Sequence, residues 1–208
     1  MAQDFKVQYF EVIVKGEHET DKNDQVKFKK YIDSELIHKQ KFPAHTDLVG
    51  DKMVESICEI YANAIMHGKS DYVYACGEYQ EDDKILNMTI VDCGETVAKN
   101  VNSFFEGKGK PQVSSAEAIE WAFVSGNTTK TDTGGLGLAI LKEFIDQNQG
   151  SLQMISDTGM LELNNGMVKQ ESLNNSFPGT IVNMKFNFAD SKKYFMAYEK
   201  NTDFNDLL

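Results

Sequence analysis

Three side chains able to bind a metal ion or transfer a proton recur at four-residue intervals in one segment. Glu59, Asn63 and His67 are spaced i, i+4 and i+8, so on a helix they lie on one face. At about 100° per residue a set of apolar residues lies nearly opposite: Val54, Cys58, Tyr61 and Ile65. The pattern predicts an amphipathic helix over residues 47–67. Its carboxylate, one turn from an amide, suits hydrolytic or transfer chemistry on a metal-bound anion.

Each of the three polar residues has a chemical and a structural interpretation. The neutral amide oxygen of Asn63 is a hard ligand suited to Mg²⁺, which takes its other ligands from water and phosphates. Glu59 could orient or deprotonate an attacking water or hydroxyl group. The structural alternative is a solvated polar helix face. For His67 that alternative is preferred, because an imidazole interacts favourably with the C-terminal end of a helix dipole.

Two further stretches are candidates for ligand binding. Gly134-Gly135-Leu136-Gly137 opens an amphipathic helix predicted over residues 136–147, so its backbone N–H groups could bind an anion. It matches neither the Walker loop nor the dinucleotide fingerprint, and alone it favours a structural turn. Asp92 ends a predicted strand before Gly94. A buried carboxylate there could accept a hydrogen bond from an exocyclic amine such as that of adenine, whereas alone an Asx-type turn is favoured.

The composition limits the class of protein. The chain has 208 residues, 41% hydrophobic and 25% charged, as expected for one soluble globular domain. Its net charge of −11 argues against general binding to nucleic acid or anionic membranes. Three cysteines without a CxxC pair predict neither disulfides nor structural zinc, and no signal peptide is recognised, so we expect a cytoplasmic protein. No apolar run of about 18 residues predicts a membrane span.

Periodicity predicts an α+β chain. Strands are predicted over residues 5–14, 71–79 and 84–92, and an antiparallel meander over 151–156, 160–163, 166–169 and 180–188. Helices are predicted over residues 24–40, 47–67, 97–105, 114–123 and 136–147, the fourth with a capping box at its start. Residues 1–190 are expected to form a single domain with its core at 47–188. Residues 191–208 are expected to be an extension that begins with a terminal helix.

Taken together, the motifs resemble a known family. Glu59 and Asn63 in EIYANAIMHG, then Asp92-Cys93-Gly94, then GGLGL and finally Gly179-Thr180 occur in the order of the GHKL ATPase superfamily of gyrase, Hsp90, sensor histidine kinases and MutL. The resemblance covers roughly residues 47–188. It implies the Bergerat ATP-binding fold, a two-layer α/β sandwich. Its mixed, mainly antiparallel sheet would be covered on one face by helices.

The resemblance also implies a role for individual residues. Asn63 would ligate Mg²⁺, Asp92 would bind the adenine amine with Gly94 close to the ring, and Thr180 would help to hold adenine. The second glycine box would line the triphosphate of ATP: Gly134, Gly135, Leu136, Gly137 and Leu138. Residues 125–133 would form a lid from which Lys130 reaches the terminal phosphates. The first glycine box departs from the usual DxGxG, because Thr96 stands where the second glycine would be.

Within the superfamily, the chain is most similar to the stand-alone anti-sigma-factor serine kinases. Only His18, His38 and His45 precede the Glu59 motif, so a histidine-kinase dimerisation domain with a phosphoacceptor histidine is not expected. The resemblance implies a kinase-like regulator that phosphorylates or sequesters a small STAS-type protein, with Glu59 as the base. A nucleotide-gated binding switch, a slow ATPase in a nucleotide-gated homodimer and the ATP-binding subunit of a histidine-kinase-type signalling system remain alternatives. Neither nucleic acid nor a membrane is an expected partner.

Overall fold

The computed structural model describes residues 6–13, 22–39, 41–66, 69–70, 72–129, 135–196 and 199. Their helices are α1 (Lys22–Ile32), continued by a π-helical turn (Asp33–Ile37), α2 (Asp47–Met66), α3 (Val97–Glu106), α4 (Ser115–Phe123) and α5 (Gly137–Gln147). Their strands are β1 (Lys6–Ile13), β2 (Tyr72–Gln80), β3 (Ile85–Asp92), β4 (Ser151–Asn164) and β5 (Met167–Asn187). The chain is therefore an α+β protein, as the periodicity predicts.

The five described strands form one open sheet in the order β1-β2-β3-β5-β4. All four pairings are antiparallel, so the expectation of a mixed sheet is wrong for the described strands. The predicted meander is also wrong, because residues 151–187 form one long hairpin, β4–β5, in place of four short strands. Bulges at Ser156/Asp157 and Asp157/Gly159 let the pairing continue through a stretch that has little strand propensity.

One face of the sheet is buried, and its residues alternate along each strand. Leu86, Met88 and Ile90 of β3 are at most 2% exposed. Their partners on β5 are Phe186, Met184 and Val182, and the next strand, β4, adds Leu152 and Met154. Because successive side chains of a strand point to opposite faces, this register gathers the apolar residues on one side. The side chains between them are half-buried or exposed.

The helices pack against that buried face and complete the second layer. α2, with 20 residues, contacts α1, α5, β2 and β3. Phe28 of α1 stacks on Tyr61 of α2 with ring centroids 4.3 Å apart, and both rings are buried in the same core as Met88. The first helix differs from its predicted form, because regular α-helix ends at Ile32 and the π-helical turn follows. Gln40, the last residue of that predicted helix, lies outside the described residues.

α3 and α4 form a smaller cluster at one end of the sheet. Its buried members are Ala98, Val101, Phe105 and Ala118. The predicted capping box is confirmed, since Ser114 Oγ accepts a hydrogen bond from Glu117 N and the Glu117 carboxylate accepts one from Ser114 N. This cap fixes where α4 begins, and with it the side of the helix that faces the sheet.

The segment after Asp190 packs on the domain. Tyr194 is 5% exposed, lies in the main core and forms a parallel bridge with His45. Its hydroxyl donates to the Asp190 carboxylate and accepts from the Asn148 amide. Residues 191–196 are not helical, so the predicted terminal helix is wrong for this part, and residues 200–208 lie outside the described chain. Among the described helices, none is long and apolar enough to cross a membrane.

Candidate functional site

A cavity between the helical layer and one end of the sheet gathers half of the residues singled out by the sequence. Its volume, with the open mouth included, is about 920 Å³. Six of those residues line it: Glu59, Asn63, Asp92, Gly135, Leu138 and Thr180. Leu136 is 55% exposed and is not among the lining residues. Lys130 and Gly134 lie outside the described residues, as do His67 and Gly68.

Asp92 provides the buried carboxylate of the cavity. It is the last residue of β3, is 5% exposed and faces Thr180 across the β3–β5 pairing. Burial raises the pKa of its carboxyl to about 6, and backbone hydrogen bonds from Gly94 and Thr180 offset part of that rise. The Gly94 bond, 2.9 Å long, is an Asx-type turn. The structural and chemical interpretations of Asp92 are therefore compatible, because its carboxylate makes the turn and lines the cavity.

Ser156 of β4 is a buried polar residue that the sequence analysis does not predict, and it contacts the β5 residues Gly179 and Thr180 beside Asp92. Ser156 is fully buried and donates a 2.7 Å hydrogen bond to the Gly179 carbonyl. Its hydroxyl also lies 3.2 Å from Thr180 Oγ1 and accepts from Val97 N at 3.0 Å. Nothing in a strand of alternating residues distinguishes such a serine before the register is known. Ser156 thus ties β4, β5 and the start of α3 together behind the cavity.

Gly179 is required by a close approach of two strands. Its φ is +139°, and a Cβ there would lie 2.1 Å from the Asp92 carbonyl oxygen. A side chain at this position would push β5 away from the end of β3. The glycine before Thr180 therefore keeps the threonine beside Asp92.

The polar face of α2 forms a second wall. Glu59 and Asn63 are both half-buried and both line the cavity. The opposite face is in the core, as the helical pattern predicts, with Val54 and Tyr61 each 1% exposed. The carboxylate and the amide therefore lie one turn apart at the same cavity.

Glu59 contacts the start of α5 directly. Its Oε2 accepts a hydrogen bond from Gly137 N at 2.9 Å, and its Oε1 accepts one from Gly135 N at 3.4 Å. A Cβ on Gly137 would lie 2.1 Å from Glu59 Oε2, so the glycine lets the two helices approach. The helix N-terminus is an anion site because its first N–H groups lack partners within the helix. In this structure the Glu59 carboxylate is the anion held there.

The two ends of the segment predicted as a lid are joined by a backbone hydrogen bond. Gly126 N donates to the Gly135 carbonyl at 3.1 Å, which brings the two ends of the segment together. Asn127, Thr128 and Thr129 line the cavity, and residues 130–133 lie outside the described chain. The structure therefore brings the start of the predicted lid to the cavity.

The departure from DxGxG has a structural explanation. Thr96 is the N-cap of α3, and its hydroxyl accepts a 3.3 Å hydrogen bond from Lys99 N. The preceding Glu95 is bridged by Lys69 at 3.1 Å and by Lys99 at 3.0 Å, and these bonds lower the pKa of its carboxyl. A threonine caps a helix where a glycine offers no side chain. The second glycine position thus serves to start α3.

Apolar side chains line much of the cavity that contains Asp92. Ile90, Met154 and Val182 come from the sheet, while Val101 and Trp121 come from α3 and α4. Such a surface accepts a flat apolar ring, with the buried carboxylate as its polar contact. Trp121 was predicted only as part of a helix, since a single tryptophan does not reveal which surface it faces.

Comparison with known proteins adds no assignment, since no family model matches the sequence and no curated protein is significantly similar to it. The candidate function therefore rests on the cavity. Within the described part of the chain, no group of three or more His, Cys, Asp or Glu side chains could hold a metal ion. Asn63 could give a cation in this cavity one oxygen ligand, and a phosphate-bearing ligand could give others. Such oxygen ligands suit Mg²⁺.

Proposed function

We propose that this cavity binds Mg²⁺-ATP and that the chain is a GHKL-type domain with the Bergerat fold. One observation carries the proposal: a buried carboxylate lies among apolar side chains in a cavity that also holds a helix N-terminus and an amide oxygen. Asp92 would accept a hydrogen bond from the adenine amine, with Thr180 beside it and Trp121 among the walls. An apolar slot with one buried acceptor fits a purine that carries an amine.

The phosphates would lie towards α5. Gly135 N and Gly137 N are donors at or next to the N-terminus of an 11-residue helix, where an anion is stabilised by unpaired N–H groups and by the helix dipole. Asn63 would offer one oxygen to Mg²⁺, and the phosphates and water would supply the others. When bound, Mg²⁺-ATP supplies a phosphoryl group whose transfer depends mainly on positioning and charge neutralisation.

The activity that we propose is that of a kinase-like regulator. Glu59, which lines the cavity one turn from Asn63, would accept the proton of a serine or threonine hydroxyl on a small STAS-type partner. To do so, its carboxylate must leave the amides of Gly135 and Gly137 and turn towards that hydroxyl.

All three cysteines are free, which fits the cytoplasmic location that we propose.

A second candidate is a binding switch that holds ATP without transferring phosphate. The contact that favours it is the engagement of both Glu59 oxygens with backbone N–H groups. A carboxylate held by these N–H groups is directed towards α5 and not towards the hydroxyl of a partner. If the Glu59 carboxylate does not turn towards the partner's hydroxyl when nucleotide binds, the domain sequesters its partner rather than phosphorylating it.

An assay with ATP labelled on the γ-phosphate separates these candidates. The protein is incubated with Mg²⁺ and labelled ATP, alone and with the product of a neighbouring gene that encodes a STAS-like protein. Label on the partner supports the kinase, phosphate release alone supports an ATPase, and retained ATP without turnover supports the switch. Under the kinase proposal, Glu59→Gln retains ATP binding and loses transfer by about 100-fold or more, as expected when a general base is removed. Transfer that persists in Glu59→Gln would exclude Glu59 as the base.

A further inference from the structure

The contact between Glu59 and α5 has a consequence for ligand binding that does not depend on catalysis. We propose that Glu59 makes polyphosphate binding depend on a divalent cation, because its carboxylate holds the amides that the phosphates need. The inference deepens the proposed function and rests on its phosphate-binding part. It assigns to Glu59 a role in ligand specificity in addition to its proposed role as a base.

The Glu59 carboxylate and a phosphate of the ligand would compete for the same two backbone N–H donors. Gly137 N is bonded to Glu59 Oε2 at 2.9 Å, which is already the distance of a full N–H···O hydrogen bond. Gly135 N points to the other oxygen of the same carboxylate at 3.4 Å. An N–H group donates well to one acceptor at a time, so a phosphate oxygen can use these donors only after the carboxylate moves away.

After displacement, the Glu59 carboxylate would stay close to the cavity. Glu59 belongs to α2, and the helix backbone keeps its Cα at the cavity wall wherever the side chain turns. Among the described lining residues, the charged ones are Glu59, Asp92 and Glu95, and none is lysine, arginine or histidine. A polyphosphate would therefore enter beside the Glu59 carboxylate, which has a like charge. Lys69 and Lys99, which are near the described walls, both pair with Glu95.

A cation would weaken the repulsion between the phosphates and the Glu59 carboxylate. A divalent ion bound with the phosphates would reduce their repulsion from the displaced carboxylate, and Asn63, one turn away, could add an oxygen ligand. Without the cation, the phosphates must displace a bonded carboxylate and then tolerate its charge. The affinity for polyphosphate should therefore rise steeply with Mg²⁺ in the wild type and less steeply in a variant that lacks the Glu59 charge.

The test measures binding of inorganic tripolyphosphate by calorimetry, once with Mg²⁺ and once with a chelator. This probe has no base, so it reports on the phosphate site separately from adenine recognition. The variants are Glu59→Gln and Glu59→Ala, both compatible with a helix interior. Glu55→Gln is the matched control, because Glu55 is one turn away on α2, is 56% exposed and pairs with Lys52. Folding of each variant is checked by its melting transition.

The expected result is a change in the ratio between the two conditions. Removing the Glu59 charge should strengthen binding without Mg²⁺ by about tenfold or more, which corresponds to one charge-assisted hydrogen bond released. Binding with Mg²⁺ should change by less than about threefold, and Glu55→Gln should leave both values at the wild-type level. Equal or weaker Mg²⁺-free binding in both Glu59 variants would overturn the inference, as would the absence of tripolyphosphate binding in every variant.

Failure of the proposed function would give a different result. If tripolyphosphate binds as expected while ATP binds no better than tripolyphosphate, adenine recognition is wrong and the role of Glu59 stands. If ATP binds better than tripolyphosphate but the Glu59 variants retain the wild-type Mg²⁺ dependence, the proposed function stands and the inference fails.

Discussion

The two carboxylates of the cavity, Asp92 and Glu59, have different surroundings, and each environment suits a different task. Asp92 is 5% exposed, and burial raises the pKa of its carboxyl to about 6. Glu59 is half-buried and accepts hydrogen bonds from two backbone N–H groups. A buried acceptor suits recognition of a ligand donor, whereas a carboxylate at a helix N-terminus can be exchanged for another anion.

At this scale we predict a pH dependence of ATP binding that originates in Asp92. The ionised carboxyl would accept the proposed hydrogen bond from the adenine amine, and with a pKa of about 6 it is mostly ionised above that pH. At about pH 5 roughly one tenth of the Asp92 side chains remain ionised, so ATP affinity should fall about tenfold from its value near pH 7.5. Calorimetry of ATP binding across this window measures the effect.

Two comparisons separate Asp92 from other groups that titrate in the same window. Tripolyphosphate has no amine, so the pH profile of its binding lacks the proposed contact between Asp92 and the adenine amine. Asp92→Asn should bind ATP more weakly near pH 7.5 and should lose the additional drop at low pH. A drop of the same size in Asp92→Asn would assign the pH dependence to another group.

The same carboxyl should affect stability with a definite sign. Its pKa in the folded protein is above the unfolded value of 3.8, so the folded state binds more protons between these two values. Its contribution to the free energy of unfolding is therefore fully present below about pH 4 and is lost as the pH rises through about 6. Binding and stability should thus respond to Asp92 in opposite directions over this window.

Among the elements, the approach of the predicted lid to the start of α5 depends on one glycine. Gly135 has a φ of +83°, and a Cβ there would lie 2.2 Å from the Asn127 carbonyl oxygen. Gly126 has the same φ of +83° with open space around its Cβ position. The two glycines therefore share a backbone conformation and differ in whether another segment is close.

We predict that Gly135→Ala destabilises the protein more than Gly126→Ala does. Gly126→Ala imposes only the strain of an alanine at positive φ, about 1 kcal/mol. The first adds a contact with backbone that cannot move without separating residues 127 and 135, and should cost about 2–4 kcal/mol in total. Chemical denaturation of both variants measures the difference. Equal losses would mean that the approach of the two segments is not required for stability.

The predictability of the elements follows the strength of their local signals. α2 was predicted from its stripe of buried residues to within a residue of its described end, and α4 from its capping box. The β4–β5 hairpin was predicted as separate short strands, because residues 170–179 contain asparagine, serine, proline and glycine, which have low strand propensity. In residues 170–179 the pairing with β4 and the bulge at Asp157 keep the strand extended. Both depend on residues of another strand, so the local sequence does not predict them.

The candidate site was predictable to the extent that its residues lie in short motifs. Glu59, Asn63, Asp92 and Thr180 were proposed from spacing and resemblance, and the fold brings them to one cavity. Ser156 depends on the register of three elements and had no signal. The Glu59 contact with Gly137 joins residues 78 positions apart, so no local pattern reveals that the proposed base also caps a helix.

At the scale of the whole molecule, the segment after Asp190 contributes Tyr194 to the main core. The Tyr194 ring lies 4.8 Å from that of Phe144, and its hydroxyl contacts Asp190 and Asn148. Asn148 also accepts from Asn187 N at 2.6 Å, so α5, β5 and the terminal segment share one polar junction. If the domain ended at residue 190, as the sequence analysis expects, Tyr194 would lie outside the unit in whose core it is buried.

We predict that Tyr194→Ala destabilises the whole domain, by about 3 kcal/mol or more, because a buried aromatic ring and its hydrogen bonds are lost. The matched control is the next residue, Phe195, which is 37% exposed and should cost less than about 1 kcal/mol when changed to alanine. Chemical denaturation, followed by a probe of the core, gives both values. Wild-type stability in Tyr194→Ala would show that the terminal segment is not part of the domain.

The central claim, that the cavity binds adenine nucleotides through Asp92, is tested most directly by calorimetric titration with Mg²⁺-ATP and Mg²⁺-GTP. The two ligands differ at the position facing the carboxylate, where adenine has an amine donor and guanine has a carbonyl oxygen. Wild-type protein should bind one ATP per chain and bind GTP at least about tenfold more weakly, and Asp92→Asn should reduce that preference. No ATP binding, or equal binding of ATP and GTP by the wild type, would contradict the claim.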